Sequence, residues 1–346
     1  MKHLMKTGSL LLMLMLASVA KSQTNTALDY MNTISAKYRA IQEEMWDYTS
    51  TVAHGKSARK VDAKRTGLIQ TTRQVIGEVE KMDGFEGDFA YRDSVLSFLN
   101  IYYHILNEDY AKIVDMEEIS ERSYNDMEAY MNAKEEASIK MNNAGQMVAD
   151  QQRAFAAKHN ITLLEASDEL SEKMQIADEV YTYYNVLYLI FFKSYIQEKY
   201  LIEALNKQDV SGMEQNRVAL LATATEGLEK LSSVEGFKGD LTVVTACRDI
   251  LTFYKDEAEN KISLLTDYFI KTENFNTIKT SFDQIKPNNR TQADVDNYNK
   301  AVNEMNAAVA TYNETNTKLG TDRAKYLDNW NNSSAKFTDK HVPKGK

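Results

Sequence analysis

Two stretches of this chain, 68–113 and 220–265, carry one pattern at an offset of 152 positions, each around the turn GFxGD: GFEGD from Gly84 to Asp88 and GFKGD from Gly236 to Asp240. Before the first turn, Leu68, Ile69, Thr72, Val75, Ile76, Val79 and Met82 recur at the i, i+3, i+4, i+7 spacing of one helix face. Their counterparts are Leu220, Leu221, Ala224, Gly227, Leu228, Leu231 and Val234. After the turn, Val95, Leu99, Tyr102, Leu106, Tyr110 and Ile113 map onto Cys247, Leu251, Tyr254, Ala258, Ile262 and Leu265 without a gap. The repeated unit is therefore a helix–turn–helix.

The turn residues suit that unit. Gly84 and Gly236 are expected to end the first helix in the left-handed region, with Phe85 and Phe237 folding back onto it. Asp88 and Asp240 are expected to accept from the first free N–H groups of the next helix, and Ser57 and Asp209, also 152 apart, from those of the helix before the turn.

Helical periodicity predicts helices near 27–53, 57–82, 88–117 and 120–158, and again near 163–206, 210–233, 240–272 and 291–328. With only two prolines, Pro287 and Pro343, the expected class is all-α. The expected architecture is two tandem four-helix up-and-down bundles, 23–160 and 161–330, followed by a flexible tail, 331–346. Met141 and Met305 correspond at a wider spacing, which predicts an insertion of about 12 residues near Lys286, Pro287, Asn288 and Asn289.

Residues 1–22 read as a secretory signal peptide: Lys2 and Lys6 precede the apolar run Leu10 to Leu16, and small residues follow. The absence of a cysteine after that run argues against lipid-anchored export. Cleavage after Ser22 removes Lys2, Lys6 and Lys21 from the 41 basic residues and leaves the 50 acidic ones, a net charge of about −12. This balance argues against nucleic acid and anionic membrane as general partners. The single cysteine, Cys247, has no internal disulfide partner and aligns with Val95, so a small core residue is expected there.

From Val180 to Ile202 aromatic and aliphatic side chains occupy nearly every face of a helix, but Lys193, Glu198 and Lys199 interrupt the run too early for a membrane span. Tyr184, Tyr188, Phe191, Phe192 and Tyr195 are expected at the meeting of the two bundles, with a homodimer surface or an apolar ligand pocket as the alternatives.

The string His54, Gly55, Lys56, Ser57 ends like a phosphate-binding loop, but Ser50 stands where a second glycine is required and a helix stands where a strand should. The same region gathers His54, Lys56, Arg59, Lys60, Lys64 and Arg65. Lys56, Lys60 and Lys64 lie one turn apart near a helix start, a face able to receive an anionic group. The aligned residues Gln208, Ser211, Gly212, Asn216 and Arg217 are mostly uncharged, so the scaffold does not require these cations; a solvated face is the plainer reading.

Metal and acid–base chemistry find little footing. The Glu-x-x-His of di-iron bundles fails at Ile101, Thr51 and Ala156, three positions before His104, His54 and His159. The His-x-x-Glu of imelysin-like proteins fails at Asn107, Ser57 and Thr162, and the methionines lack the tight spacing of a copper box. No cofactor or metal is expected. His104 and Glu108 are one turn apart but have no nucleophile nearby in sequence.

The stretches WDYTSTVAHGKSARKVDAKR (46–65), NEDYAKIVDMEEISERSYNDMEAY (107–130) and YLIFFKS (188–194) resemble an uncharacterised family of exported, all-helical surface proteins of Gram-negative bacteria. The resemblance implies a helical fold and an envelope or surface location; it supplies no activity and no catalytic residues. The expected function is a non-enzymatic binding or structural role in the periplasm or at the cell surface, with an envelope protein or an anionic glycan as partner. The alternative is a carrier of a small hydrophobic ligand held between the bundles.

Overall fold

The computed structural model describes residues 16–17, 26–54, 58–109, 120–164 and 169–344. Almost all of them are helical. The first helices are α1 (Thr26–Ala53), α2 (Ala58–Glu80) and α3 (Ala90–His104), the last running into a π-helical turn, Ile105–Asp109. Then come α4 (Tyr124–Lys158), α5 (Glu169–Asn206), α6 (Val210–Leu231) and α7 (Thr242–Asp256), which enters a second π-helical turn, Glu257–Lys261. The chain continues through α8 (Ile262–Gln284), a short 3-10 turn at Pro287–Asn289, and α9 (Gln292–His341). Extended structure among the described residues is one antiparallel pairing of two-residue strands, β1 (Leu16–Ala17) with β2 (Leu163–Leu164).

The chain divides into two units, one holding the described residues up to Asn185 and those from Ala335 on, the other Val186–Ser334. The division falls inside α5 and inside α9, not at the 160/161 turn expected from the sequence. The first unit's core gathers Ile34, Ile41, Leu68, Val79, Leu99 and Leu106 from α1, α2, α3 and the π turn, with Val148 and Phe155 from α4. The second buries Leu220, Cys247, Ile250, Leu251, Tyr254 and Ala258, all fully enclosed. The Cys247 thiol is pushed up to about 12 by burial, as befits a core residue rather than a nucleophile.

The two turns are built alike, though not in the way expected. The left-handed residues are Glu86 and Gly87 in one and Lys238 and Gly239 in the other, with φ of 50° and 82° against 50° and 84°. Gly84 and Gly236 are needed for a different reason, close approach: a Cβ on Gly84 would lie 2.8 Å from the Asp88 carbonyl oxygen, and one on Gly236 3.0 Å from that of Asp240. Phe85 and Phe237 each bridge to the aspartate three residues on. Phe85 packs on the first unit's core, meeting Tyr30 of α1, Phe155 of α4 and His159 just after α4. Asp88 Oδ1 accepts from Ala90 N at 2.9 Å and Asp240 Oδ1 from Thr242 N at 2.8 Å, while Asp209 caps α6 by accepting from Gly212 N at 3.0 Å. Ser57 lies outside the described residues.

The parallel continues beyond the turns. Both following helices are 15 residues long and both end in a five-residue π turn. Arg65 donates to the Leu106 carbonyl at 3.4 Å, and Arg217 to the Ala258 carbonyl at 3.1 Å. A π turn leaves carbonyls out of the regular helical ladder, and the guanidinium supplies the missing donor.

After the second π turn the fold departs from the expected helix ends at 272 and 328. α8 runs on to Gln284, and α9 returns from Gln292. The expected insertion is thus the tip of a two-helix arm rather than a simple loop, and no residue from 266 to 300 is buried. A ladder of half-buried rings holds the arm together: Tyr268 with Tyr312 at 4.4 Å, Phe275 with Tyr298 at 6.1 Å and Phe282 with Tyr298 at 4.6 Å, with the Arg290 guanidinium 4.2 Å from the Phe282 ring centre.

The tail expected at 331–346 is helical to His341, because it carries two core side chains, Phe337 and Val342, each 1% exposed. Phe337 packs on Tyr183 at 5.7 Å and on His341 at 4.8 Å.

Candidate functional site

Of the basic face, the described residues His54, Lys64 and Arg65 are engaged within the fold. His54 ends α1 with its ring 10% exposed; its Nδ1 is 3.0 Å from Asp339 Oδ1 and its Nε2 3.3 Å from the Pro343 carbonyl oxygen, so it ties the C-terminal segment to α1. Lys64 pairs with Asp47 of α1, and Arg65 serves the π turn. Arg59 and Lys60 are exposed. Lys56 lies outside the described residues.

Within the second unit, the aromatic side chains of α5 pack on one another and on α9. Phe191 stacks on Trp330 at 4.4 Å and on Tyr195 at 5.4 Å, and Tyr188 stacks on Phe192 at 5.8 Å. Phe192 is 1% exposed; Tyr184 and Tyr188 are half-buried. The two cavities described below are lined by other residues. His104 and Glu108 form a surface pair at 3.1 Å with side chains 63% and 55% exposed, an environment that shelters no reacting group. Among the described residues no three His, Cys, Asp or Glu side chains gather to hold a metal ion.

A more unusual constellation stands at the root of the arm, and it is absent from the expectations above. Glu198 of α5, Glu257 at the start of the second π turn and Arg323 of α9 form a buried ionic cluster. Arg323 Nε donates to Glu198 Oε1, and its Nη2 donates to Glu257 Oε1 at 2.5 Å. The two carboxyl side chains are 2% and 0% exposed. Burial and then the neighbouring Glu198 push Glu257 up to about 8, which favours its neutral form. Burial also raises Glu198, against the pull of Arg323. Burial lowers the Arg323 guanidinium, but the two carboxyls outweigh it and its net direction is upward. Tyr254, fully enclosed, is held well above the ordinary phenol range by burial and by the same two carboxyls.

One cation facing two buried carboxyls balances when one of them is protonated, and the cluster then ties α5 to the π turn that leads into α8 and to α9. The positions 152 before Glu198 and Glu257 hold Trp46 and Ile105, both buried, so the first unit is apolar where the second is charged. The sequence carried one signal of this cluster: a glutamate inside the aromatic run of α5. Arg323 gives no such signal, because its partners are 66 and 125 residues away.

Beside the arm runs an open groove of about 570 Å³. Gln208 and Val210 line it from the α5–α6 connection; Phe269, Glu273 and Asn276 line it from α8. Thr272, Thr277 and Thr280 also line it, and their hydroxyls donate to carbonyls of their own helix, so their oxygens face the groove as acceptors. Its lining includes no lysine or arginine. Gln208 adopts a φ of 56°, a left-handed conformation in which glycine is the ordinary residue.

In the first unit a smaller cavity of about 110 Å³ lies between α1, α3, α4 and the start of α5. No described helix is long and apolar enough to cross a membrane. No family model, curated protein or solved structure matches the chain.

Proposed function

We propose that the protein is a non-enzymatic, exported component of the cell envelope with a binding or structural role, and that its two units are tandem four-helix bundles from one repeat offset by 152 residues. The repeat reading is supported by matched left-handed turn residues, matched 15-residue helices, matched π turns and matched arginine-to-carbonyl bonds. The export reading rests on the charged, apolar and small-residue pattern of residues 1–22.

The observation that carries the binding role is the two-helix arm. α8 alone is about 34 Å long at 1.5 Å per residue. Such a projection buries little of its own surface, so it adds contact area at the expense of stability, and a buried ionic cluster anchors its root. The groove beside it offers amides, hydroxyl oxygens and one carboxylate, chemistry suited to a polar partner without net negative charge. An anionic glycan fits the exposed Arg59 and Lys60 better than it fits this groove.

Fractionation with intact-mass measurement tests export: the expected species is an envelope-associated chain cleaved after Ala20 or Ser22, and a full-length cytoplasmic chain overturns that half of the proposal. Cross-linking in intact cells tests the arm. A variant with residues 270–310 replaced by a short Gly-Ser linker is expected to keep its helical circular dichroism and lose the cross-linked species of the wild type. Unchanged cross-links in the shortened variant overturn the arm as the contact surface.

A further inference from the structure

The cavity in the first unit is lined by three methionines, Met45, Met141 and Met174, and by the rings of Tyr38, Phe98 and Tyr102. Tyr38 meets Phe98 edge-on at 5.1 Å, and Phe98 stacks on Tyr102 at 5.6 Å, so the ring wall is fixed by its own packing. Methionine side chains, flexible and polarisable, form the adaptable wall. Gln42 also lines the space; it is 5% exposed, and its Oε1 is buried without a hydrogen-bond partner. A buried acceptor left unpaired costs about 1–3 kcal/mol, so its position on a mostly apolar cavity, whose other polar side chain is the half-buried Asn142, calls for a donor.

We infer that this cavity is a binding site for a compact, mostly apolar molecule bearing one hydrogen-bond donor, a phenol-sized ligand whose hydroxyl donates to Gln42 Oε1. An engineered apolar cavity of roughly 150 Å³ takes up benzene, and with three methionines able to yield, about 110 Å³ is of the right order for a single ring. The rings and thioethers cover the ligand's apolar surface while the amide fixes its orientation, the usual division of labour in a small-molecule site. Residues of the first unit alone line the cavity, so this site is independent of the arm and of the place expected from the aromatic run.

The test uses the full mature chain with methyl-labelled methionine, titrated with phenol and, in parallel, with toluene, which has the same ring and no donor. Phenol at about 10 mM is expected to shift the methyl signals of Met45, Met141 and Met174 and to raise the melting temperature, with roughly millimolar affinity. Toluene is expected to bind at least about fivefold more weakly, and Gln42→Leu to erase that preference by weakening phenol alone. Equal binding of the two by the wild type overturns the inference, as does the absence of shifts at those three methyls. A cavity that holds only an ordered water on Gln42 gives that second result. Should Gln42→Leu not fold, Met174→Phe fills the space from its partly exposed side and is expected to abolish the phenol shifts at Met45 and Met141.

Discussion

At the scale of single residues, the two GFxGD turns separate what looks like one requirement into two. Gly84 and Gly236 are held by close approach, whereas the left-handed positions fall on Glu86 and Gly87 and on Lys238 and Gly239. The substitutions should therefore diverge. Gly236→Ala pushes a methyl against the Asp240 carbonyl and the Leu241 side chain and is expected to cost about 1–3 kcal/mol. Lys238→Gly relieves a left-handed side-chain residue and is expected to be neutral or stabilising by up to about 1 kcal/mol. Denaturant melts of the two variants check both signs; a Gly236→Ala variant as stable as wild type would refute the close-approach reading. The spacing of the glycines was legible in the sequence, but which of them needs positive φ was not, since that depends on where the backbone doubles back.

At the scale of elements, α5 and the arm root decide most of what is particular to the second unit. Phe191 sits between Tyr195 and Trp330, so Phe191→Ala is expected to cost about 3–5 kcal/mol, a loss read by thermal unfolding. A change of less than 1 kcal/mol would mean that the stack is incidental. The ionic cluster makes the arm root sensitive to pH. Glu257 ordinarily titrates near 4.5 in an unfolded chain and is raised to about 8 in the folded one. Between those values the folded state keeps a proton that the unfolded state has released. The cluster's contribution to stability is thus fully present below about pH 4.5 and is lost as the pH rises through about 8, with a slope of at most about 1.4 kcal/mol per unit. Glu257→Gln keeps the neutral form at every pH. Relative to wild type, it is expected to gain stability steadily from pH 5 to pH 8, and a difference that stays flat across this range counts against a protonated Glu257. Glu198 was visible in sequence as a charge inside an apolar run, yet its meaning was not, because Arg323 reaches it only after α9 has packed.

At the scale of the whole molecule, the contrast between the units is informative. Each has the same turn, the same following helix and the same π turn; among the described residues, the two-helix arm and the buried charge both belong to the second. Features that one unit lacks are not demanded by the scaffold, which makes the arm and its ionic root the first place to look for function. Amide hydrogen exchange is expected to rank the segments accordingly: fastest along 270–300, where no residue is buried, and slowest in α3 and α7, where both helices supply core side chains. Protection in 270–300 equal to that in α7 would show that the arm is covered in solution.

What the sequence determined by itself is local and periodic: the helical class, the two turns, their aspartate caps and the packing of Cys247 follow from 3.6-residue spacing and from turn chemistry, which act over a few neighbours. Tertiary structure decided the rest. The division inside α5 and α9, the helical tail pinned by Phe337 and His54, the union of Glu198, Glu257 and Arg323, and the Gln42 cavity all bring together residues far apart in sequence. Burial and charge pairing are properties of the assembled neighbours, so no window along the chain contains them.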